Sequence, residues 1–396
     1  MEDSDEEDFA VSLHDGRISG SAGACDTAAT TWDSLLSFRG ESLARMREAA
    51  LHAAWPLANG SFWLPATASP ANILEELAMR VYKFHVSSAL PPGIDEAECG
   101  CEWWANVTRS ELLKKAECGD IGFHFDKDER AYSDYGLVVH PLLSTVTYLT
   151  DDGAPTCLLP VVLSHATATD SDYKVDCEAG RLASASALAS EDALVVPPRV
   201  GRHLRFDGRW LHGAPAMMRA GPAAGSDASD AYERITFCVN VWIGHRPRQL
   251  RRFESTATAL PCEEGAAVRF RLGAARAAPP GGPSSTLQVR AGSAAPNKVT
   301  KSQQGDESAA GATTLRFALE QTSVAHELSL RSPPRLVELL RRGCVVHLRG
   351  GVEVRHAEEE SEALVVAPTE VAASVTQAHG GGRGELDGRP RKRSKR

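Results

Sequence analysis

Gly122-Phe123-His124-Phe125-Asp126-Lys127-Asp128-Glu129 sets the reading of the whole chain. The run before it reads as extended structure, and on a strand residues i and i+2 share a face. His124 and Asp126 would then project together, with Phe123 and Phe125 turned the other way into apolar packing. One imidazole and one carboxylate on one face are two-thirds of the 2-His-1-carboxylate set that holds non-haem Fe(II). A His-x-Asp is common by chance, so the motif gains meaning only from a second histidine on a later strand. Lys127, Asp128 and Glu129 read as a solvated turn.

His212 is the best-placed partner. It lies 88 residues after His124, past a strand ending Leu204-Arg205-Phe206 and a turn at Asp207-Gly208. The other histidines fit less well. His140 precedes a proline at a strand entrance, His165 opens a polar loop, and His203 lies between Arg202 and Arg205. His326 and His347 lie beyond an Ala/Gly/Pro/Ser-rich stretch. A lone histidine is more often a hydrogen-bonded core residue than a ligand, so the case rests on the set.

The run from Arg234 to Ile243 alternates. Ile235, Phe237, Val239, Val241 and Ile243 share one face; Arg234, Thr236, Cys238 and Asn240 share the other. A guanidinium heading the polar face suits a carboxylate, which it binds through two parallel hydrogen bonds. Thr236 would add a hydroxyl to the same anion. The competing reading of Arg234 is a strand-end arginine reaching to water.

Around these stretches the chain offers short strands and a few helices. Trp32 to Ala54 reads as helical. Ser69-Pro70 starts a second helix, running to His85 with Ile73, Leu74, Leu77, Val81 and Phe84 in one stripe. Cys101–Val107, Leu142–Thr150, Thr156–Leu163 and two pieces within Ala193–Phe206 read as strands, with a turn at Asp151–Pro155. Residues 164 to about 192, rich in Ser, Ala and Asp, read as a long loop or a short helix. Short strands after bracing helices predict a mainly β fold, a sandwich or jelly roll.

The chain has 396 residues, 42% of them apolar, enough for a sizeable core. No apolar run reaches membrane-spanning length, so no membrane association is expected. The acidic start from Glu2 to Asp8 is unlike a signal peptide, which gives an expectation of an intracellular protein, cytoplasmic or nuclear. The nine cysteines are scattered with no C-x-x-C, which argues against a disulfide framework or thiolate zinc site. Residues 1–248 carry 21 Lys and Arg against 36 Asp and Glu, while 249–396 carry 22 against 16. So acidic a body argues against direct nucleic-acid binding. The tail Arg389–Arg396 has six basic residues in eight, read equally as a nuclear localisation signal or a solvated charge run.

The organisation expected is an acidic disordered tail at 1–30, a domain at 31–248 with its core at 100–246, and a linker at 249–312. Residues 313–370 follow as a small accessory α/β segment or a late part of the main domain, with a strand near Leu315–Leu319, a helix from Ser332-Pro333 and a strand at Cys344–Leu348. A disordered basic tail spans 371–396.

Four stretches in order, with Glu102-Trp103-Trp104, carry a family resemblance. They are HFDKDE at 124–129, STVTYLTDDGAPTCLLP at 144–160, GRHLRFDGRWLHGAP at 201–215 and RITFCVNVW at 234–242. Over residues 100–246 the chain resembles the Fe(II)- and 2-oxoglutarate-dependent dioxygenases, most of all their prolyl-4-hydroxylase-like branch. The resemblance implies a double-stranded β-helix and makes His124, Asp126 and His212 the iron ligands. It assigns Arg234 and Thr236 to the distal carboxylate of 2-oxoglutarate, with Tyr148 beside them. It implies an enzyme that couples decarboxylation of 2-oxoglutarate, giving succinate and CO2, to hydroxylation of a substrate C–H bond by O2. Ascorbate is an expected reductant. The substrate stays open between a protein side chain such as proline and a small metabolite. The sequence departs from the family in the long gap between His212 and Arg234 and in the single Gly at Gly153-Ala154-Pro155. Rival readings are a non-catalytic jelly-roll binding or scaffold protein with a vestigial metal site, and a metalloenzyme that does without 2-oxoglutarate and so without Arg234.

Overall fold

The computed structural model describes residues 11–12, 16–21, 23–38, 41–55, 60–86, 89–109, 121–164, 181–182, 192–221, 232–254, 270–272, 287–290, 313–319, 326–332, 335–349 and 352–356. Eight strands build the site. In chain order they are β1 Gly100–Arg109, β2 Ile121–His124, β3 Leu143–Tyr148, β4 Thr156–Ser164, β5 Asp192–Val196, β6 His203–Asp207, β7 Trp210–Ala214 and β8 Glu233–Trp242. One sheet places them in the order β6-β3-β8-β1, the facing sheet in the order β5-β4-β7-β2. Neighbours within each set are antiparallel. Each step along the chain changes sheet, except from β4 to β5. That winding makes the fold a double-stranded β-helix.

Alternation along β8 explains which side of the first sheet turns inward. Ile235, Phe237, Val239 and Val241, with Trp103 and Ala105 of β1, are buried on the outer face. They pack against helices α1 (Ser42–His52) and α2 (Ile73–His85) through Met46, Ala50, Leu77, Ala78 and Val81. Fully burying a side chain such as Phe237 contributes about 1.5–3 kcal/mol. The opposite face of β8, bearing Arg234, Thr236, Cys238 and Asn240, is thereby committed to the interior. The second sheet is covered by Leu336 and Leu340 of α4 (Arg335–Arg341), which pack with Phe123, Phe125, Leu159 and Leu211. The remaining described helix, α3, spans Glu129–Tyr135.

Several local expectations are corrected. The helix expected over Trp32–Ala54 is confined to Ser42–His52. Thr30–Trp32 instead pairs with β6 as an edge strand, where β-branched and aromatic side chains are well placed. The N-cap of α2 is Asn72, not Ser69: its side chain accepts hydrogen bonds from Leu74 N and Glu75 N, both at 3.0 Å. Lys127 and Asp128 do not form a solvated turn; they are 5% and 2% exposed. Asp128 caps α3 by accepting from Arg130 N and Ala131 N, and its other oxygen meets His245 Nε2 at 2.9 Å.

Part of the stretch expected as an N-terminal tail is packed on the core. Arg17 pairs with Asp207 at 2.6 Å and donates to Leu142 O, and Ala24 is buried. Within the expected linker, Phe270–Leu272 pairs with Leu36–Phe38, and Leu287–Arg290 pairs in parallel with Val346–Arg349. Val346–Arg349 itself continues the second sheet beyond β5. Thr313–Leu319, His326–Ser332 and Val352–His356 form a separate three-stranded sheet. The chain divides into units 1–357 and 358–396. The second unit, with the basic tail, lies outside the described residues, as do residues 1–10, most of 164–192 and 222–231. Among the described residues no helix is long and apolar enough to cross a membrane.

Candidate metal centre

β2 and β7 are neighbours, and their register sets His212 opposite His124. The two rings lie 4.3 Å apart between centroids. Asp126 follows β2 by two residues, and its carboxylate lies 3.8 Å from His124 Nε2 and 3.5 Å from His212 Nε2. One donor atom from each of the three falls within 4.8 Å of the others.

Both imidazoles are oriented in the same way. His124 Nδ1 meets Gly122 O and His212 Nδ1 meets Trp210 O, each at 2.9 Å. A carbonyl can only accept, so these contacts place a proton on Nδ1 of each ring and turn each Nε2 toward Asp126. Burial pushes the His212 imidazole down to about 4, which keeps it neutral near pH 7. Burial alone would raise the Asp126 carboxyl. The facing His212 and His124 and hydrogen bonds from Ser144 and Asn240 instead hold it below the usual carboxylate range. Ser144 Oγ donates to Asp126 Oδ2 at 2.6 Å, and the backbone carbonyl of Asp126 is met by His140 Nδ1, also at 2.6 Å. An ionised carboxylate beside a neutral imidazole is the protonation state that a divalent metal requires.

The rival histidines stand elsewhere. His140 braces the Asp126 backbone, and His347 lies 3.3 Å from Asp192. His165 lies outside the described residues, and nothing is described of the His326 side chain. His203 faces outward from the first sheet, with Nε2 at 2.8 Å from His85 Nε2 and Nδ1 at 2.8 Å from Thr147 Oγ1. Burial pushes His203 down to about 3, with Arg205 adding to the effect. His203 and His212 are therefore neutral in the folded chain at a pH where the unfolded chain protonates them, below about 6.5. The unfolded state binds more protons in that window, so stability falls as pH drops from about 6.5 toward 4. Thermal melting of the metal-free protein should show its midpoint falling by several degrees between pH 7 and 4.5, and His203→Gln should flatten that slope. A slope identical in the variant would contradict the assignment.

The triad opens into a cleft that is also lined by Asn106, Val146, Thr156, Phe206, Thr236 and Arg234. Arg234 is 2% exposed. Its Nη2 donates to Thr156 Oγ1 at 3.1 Å and its Nη1 to Thr236 Oγ1 at 3.4 Å, while Nε has no partner. Among the described residues no carboxylate pairs with it. The register that sets Thr236 beside Tyr148 on β3 also brings the Tyr148 ring 5.7 Å from the guanidinium. Tyr148 stands behind the cleft wall, because its hydroxyl donates to Thr156 Oγ1 at 2.6 Å and lies 3.1 Å from Val196 O.

Two residues here escaped the sequence reading. Thr156 presents the hydroxyl shared by Tyr148 and Arg234. Gly153 carries a positive φ of 117°, and a Cβ there would lie 2.4 Å from Arg234 Cβ. The single glycine of that turn is the surface on which the Arg234 stem lies. The signal was present in the turn Asp152-Gly153-Ala154-Pro155, but only tertiary structure tells which side chain it must admit. Gly153→Ala should displace Arg234 and weaken anion binding in the cleft roughly tenfold, an effect of about 1.4 kcal/mol or more from strain at that φ and the lost fit. Equal affinity in the variant would show that Arg234 does not depend on the turn.

No family model matches the chain, and comparison with curated proteins gives no match either. Among solved structures it is similar to a Pseudomonas putida prolyl-4-hydroxylase, at 12% identity over 58% of this chain and 88% of that one, TM-score 0.24. It is also similar to HygX from Streptomyces hygroscopicus with nickel and 2-oxoglutarate bound, at 11% identity, 58% and 85% coverage and TM-score 0.27. EctD from S. alaskensis in its apoform matches at 14% identity, 63% and 85% coverage and TM-score 0.30. Likeness at that level says nothing about which residues act, and the site stands on its own geometry.

Proposed function

We propose that the chain is an Fe(II)- and 2-oxoglutarate-dependent dioxygenase that hydroxylates a substrate C–H bond. The observation that carries this reading is Arg234: a buried guanidinium with no anionic partner among the described residues, lining the same cleft as a convergent His-Asp-His set. Burying an unpaired cation costs several kcal/mol, so the cleft is suited to a dianion that spans metal and guanidinium.

His124, Asp126 and His212 would hold the metal, and three ligands on one face leave positions open for exogenous ligands. Bound iron and 2-oxoglutarate would supply O2-dependent oxidative decarboxylation coupled to hydroxylation. Arg234 would bind the distal carboxylate through its fork, with Thr236 and Thr156 adding hydroxyls. Val146, Phe206 and Trp104 line the cleft as apolar walls that limit water. Substrate would approach from the side of His124, whose side chain is 27% exposed against 8% for His212.

The test is iron content together with turnover in the absence of any other substrate. Full-length protein given Fe(II), 2-oxoglutarate and ascorbate should form succinate at a rate that depends on all of metal, O2 and 2-oxoglutarate. Iron-loaded protein that forms no succinate and leaves 2-oxoglutarate unchanged would favour a binding module instead.

A further inference from the structure

Beside Asp126, one rung of the first sheet carries three inward polar side chains, of which Ser144 lines the cleft. The register sets Glu102 of β1 opposite Asn240 of β8, and Asn240 opposite Ser144 of β3. Ser144 donates to Asp126 Oδ2. Asn240, 3% exposed, stands between Glu102 and Ser144 in that rung, and its side-chain amide acts to lower the pKa of both the Asp126 and the Glu102 carboxyls. Asp126 is held ionised and can only accept, so the Asn240 amide turns its NH2 group toward it. Burial pushes the Glu102 carboxyl up to about 7, against the hydrogen bonds that favour its ionised form. Its Oδ1 is correspondingly left with no partner. Glu102 is fixed from its far side, accepting from Ser61 Oγ on Oε1 and from Trp242 Nε1 at 3.1 Å on Oε2. Trp242 in turn lies against His245, with ring centroids 5.3 Å apart.

A carboxylate that points at a metal needs its remaining lone pairs held, because a freely rotating one trades orientation for entropy. We infer that Asn240 is a positioning residue for Asp126 and that Glu102 acts through it, the two forming a carboxylate–amide–carboxylate bridge that aims the Asp126 carboxylate at the metal site. Neither residue lines the cleft or belongs to the ligand set. The inference rests on the metal-centre reading above, and it assigns a function to Glu102, which the triad and the arginine leave unused.

The experiment is calorimetric titration of full-length protein with cobalt(II) alone, followed by 2-oxoglutarate at saturating cobalt, for wild type, Glu102→Ala, Asn240→Ala and the double variant. Loss of an outer contact to a metal ligand typically costs roughly 10–100-fold in affinity. Each single variant should bind cobalt about tenfold more weakly, while 2-oxoglutarate affinity at saturating metal stays within about twofold. The double variant should be no weaker than Asn240→Ala alone, because Glu102 has no route to Asp126 without the amide. Asn240→Leu, close to Asn in shape and free of polar atoms, replaces Asn240→Ala if that variant does not fold. Losses that multiply in the double variant would mean that Glu102 acts independently, by charge or packing, and would overturn the bridge. Unchanged cobalt affinity in both single variants would overturn it equally. A wild type that binds no cobalt would remove the metal-centre reading itself, and the bridge with it.

Discussion

Arg234→Ala should weaken 2-oxoglutarate binding by roughly tenfold or more while leaving metal affinity within about twofold. Losing one bidentate, charge-assisted contact costs on the order of 2–5 kcal/mol when the partner charge stays buried. The separation of the two effects follows from the fold. Arg234 stands near the start of β8 and the ligands come from β2, the residues just after it, and β7, in the facing sheet. Arg234→Lys should recover only part of the loss, since an ammonium keeps the charge but loses the fork. The readout is uncoupled succinate formation titrated against 2-oxoglutarate. Superimposable curves for wild type and Arg234→Ala would remove Arg234 from the site.

His212→Ala and Asp126→Ala should each lose iron, and by more than the roughly 10–100-fold expected for an outer contact, because each removes a donor atom directly. His203→Ala should keep the metal, since its ring is bonded to His85 and Thr147 on the outer face of the first sheet. Anaerobic Fe(II) loading followed by gel filtration and metal analysis separates these cases. Iron retained by His212→Ala, or lost from His203→Ala, would refute the ligand set.

The strand patterns were the legible part of the sequence. Alternation from Arg234 to Ile243 put the arginine and threonine inward because Ile235, Phe237, Val239 and Val241 had to face α1 and α2, and they do. His212 was found by its position after a turn, and β7 places it against His124. Local chemistry that depends on distant partners was not legible. Lys127-Asp128-Glu129 looks solvated by composition, yet Asp128 is buried because it caps a helix and meets His245, 117 residues away. Thr30-Thr31-Trp32 belonged to a strand because β6 offered a free edge, which no local pattern reveals. Tyr148 was placed beside the cosubstrate only through the family resemblance, and no local pattern foretold that its hydroxyl meets Thr156 Oγ1 and the Val196 carbonyl. The small residue that admits Arg234, Gly153, was noted only as a departure from a two-glycine pattern.

The most direct test of the central claim is anaerobic calorimetric titration of 2-oxoglutarate into the full-length, Fe(II)-loaded chain. The geometry of Arg234 and the triad predicts saturable binding of one molecule per chain, weakened strongly when the metal is left out. Iron bound at the triad with no measurable binding of 2-oxoglutarate would contradict it.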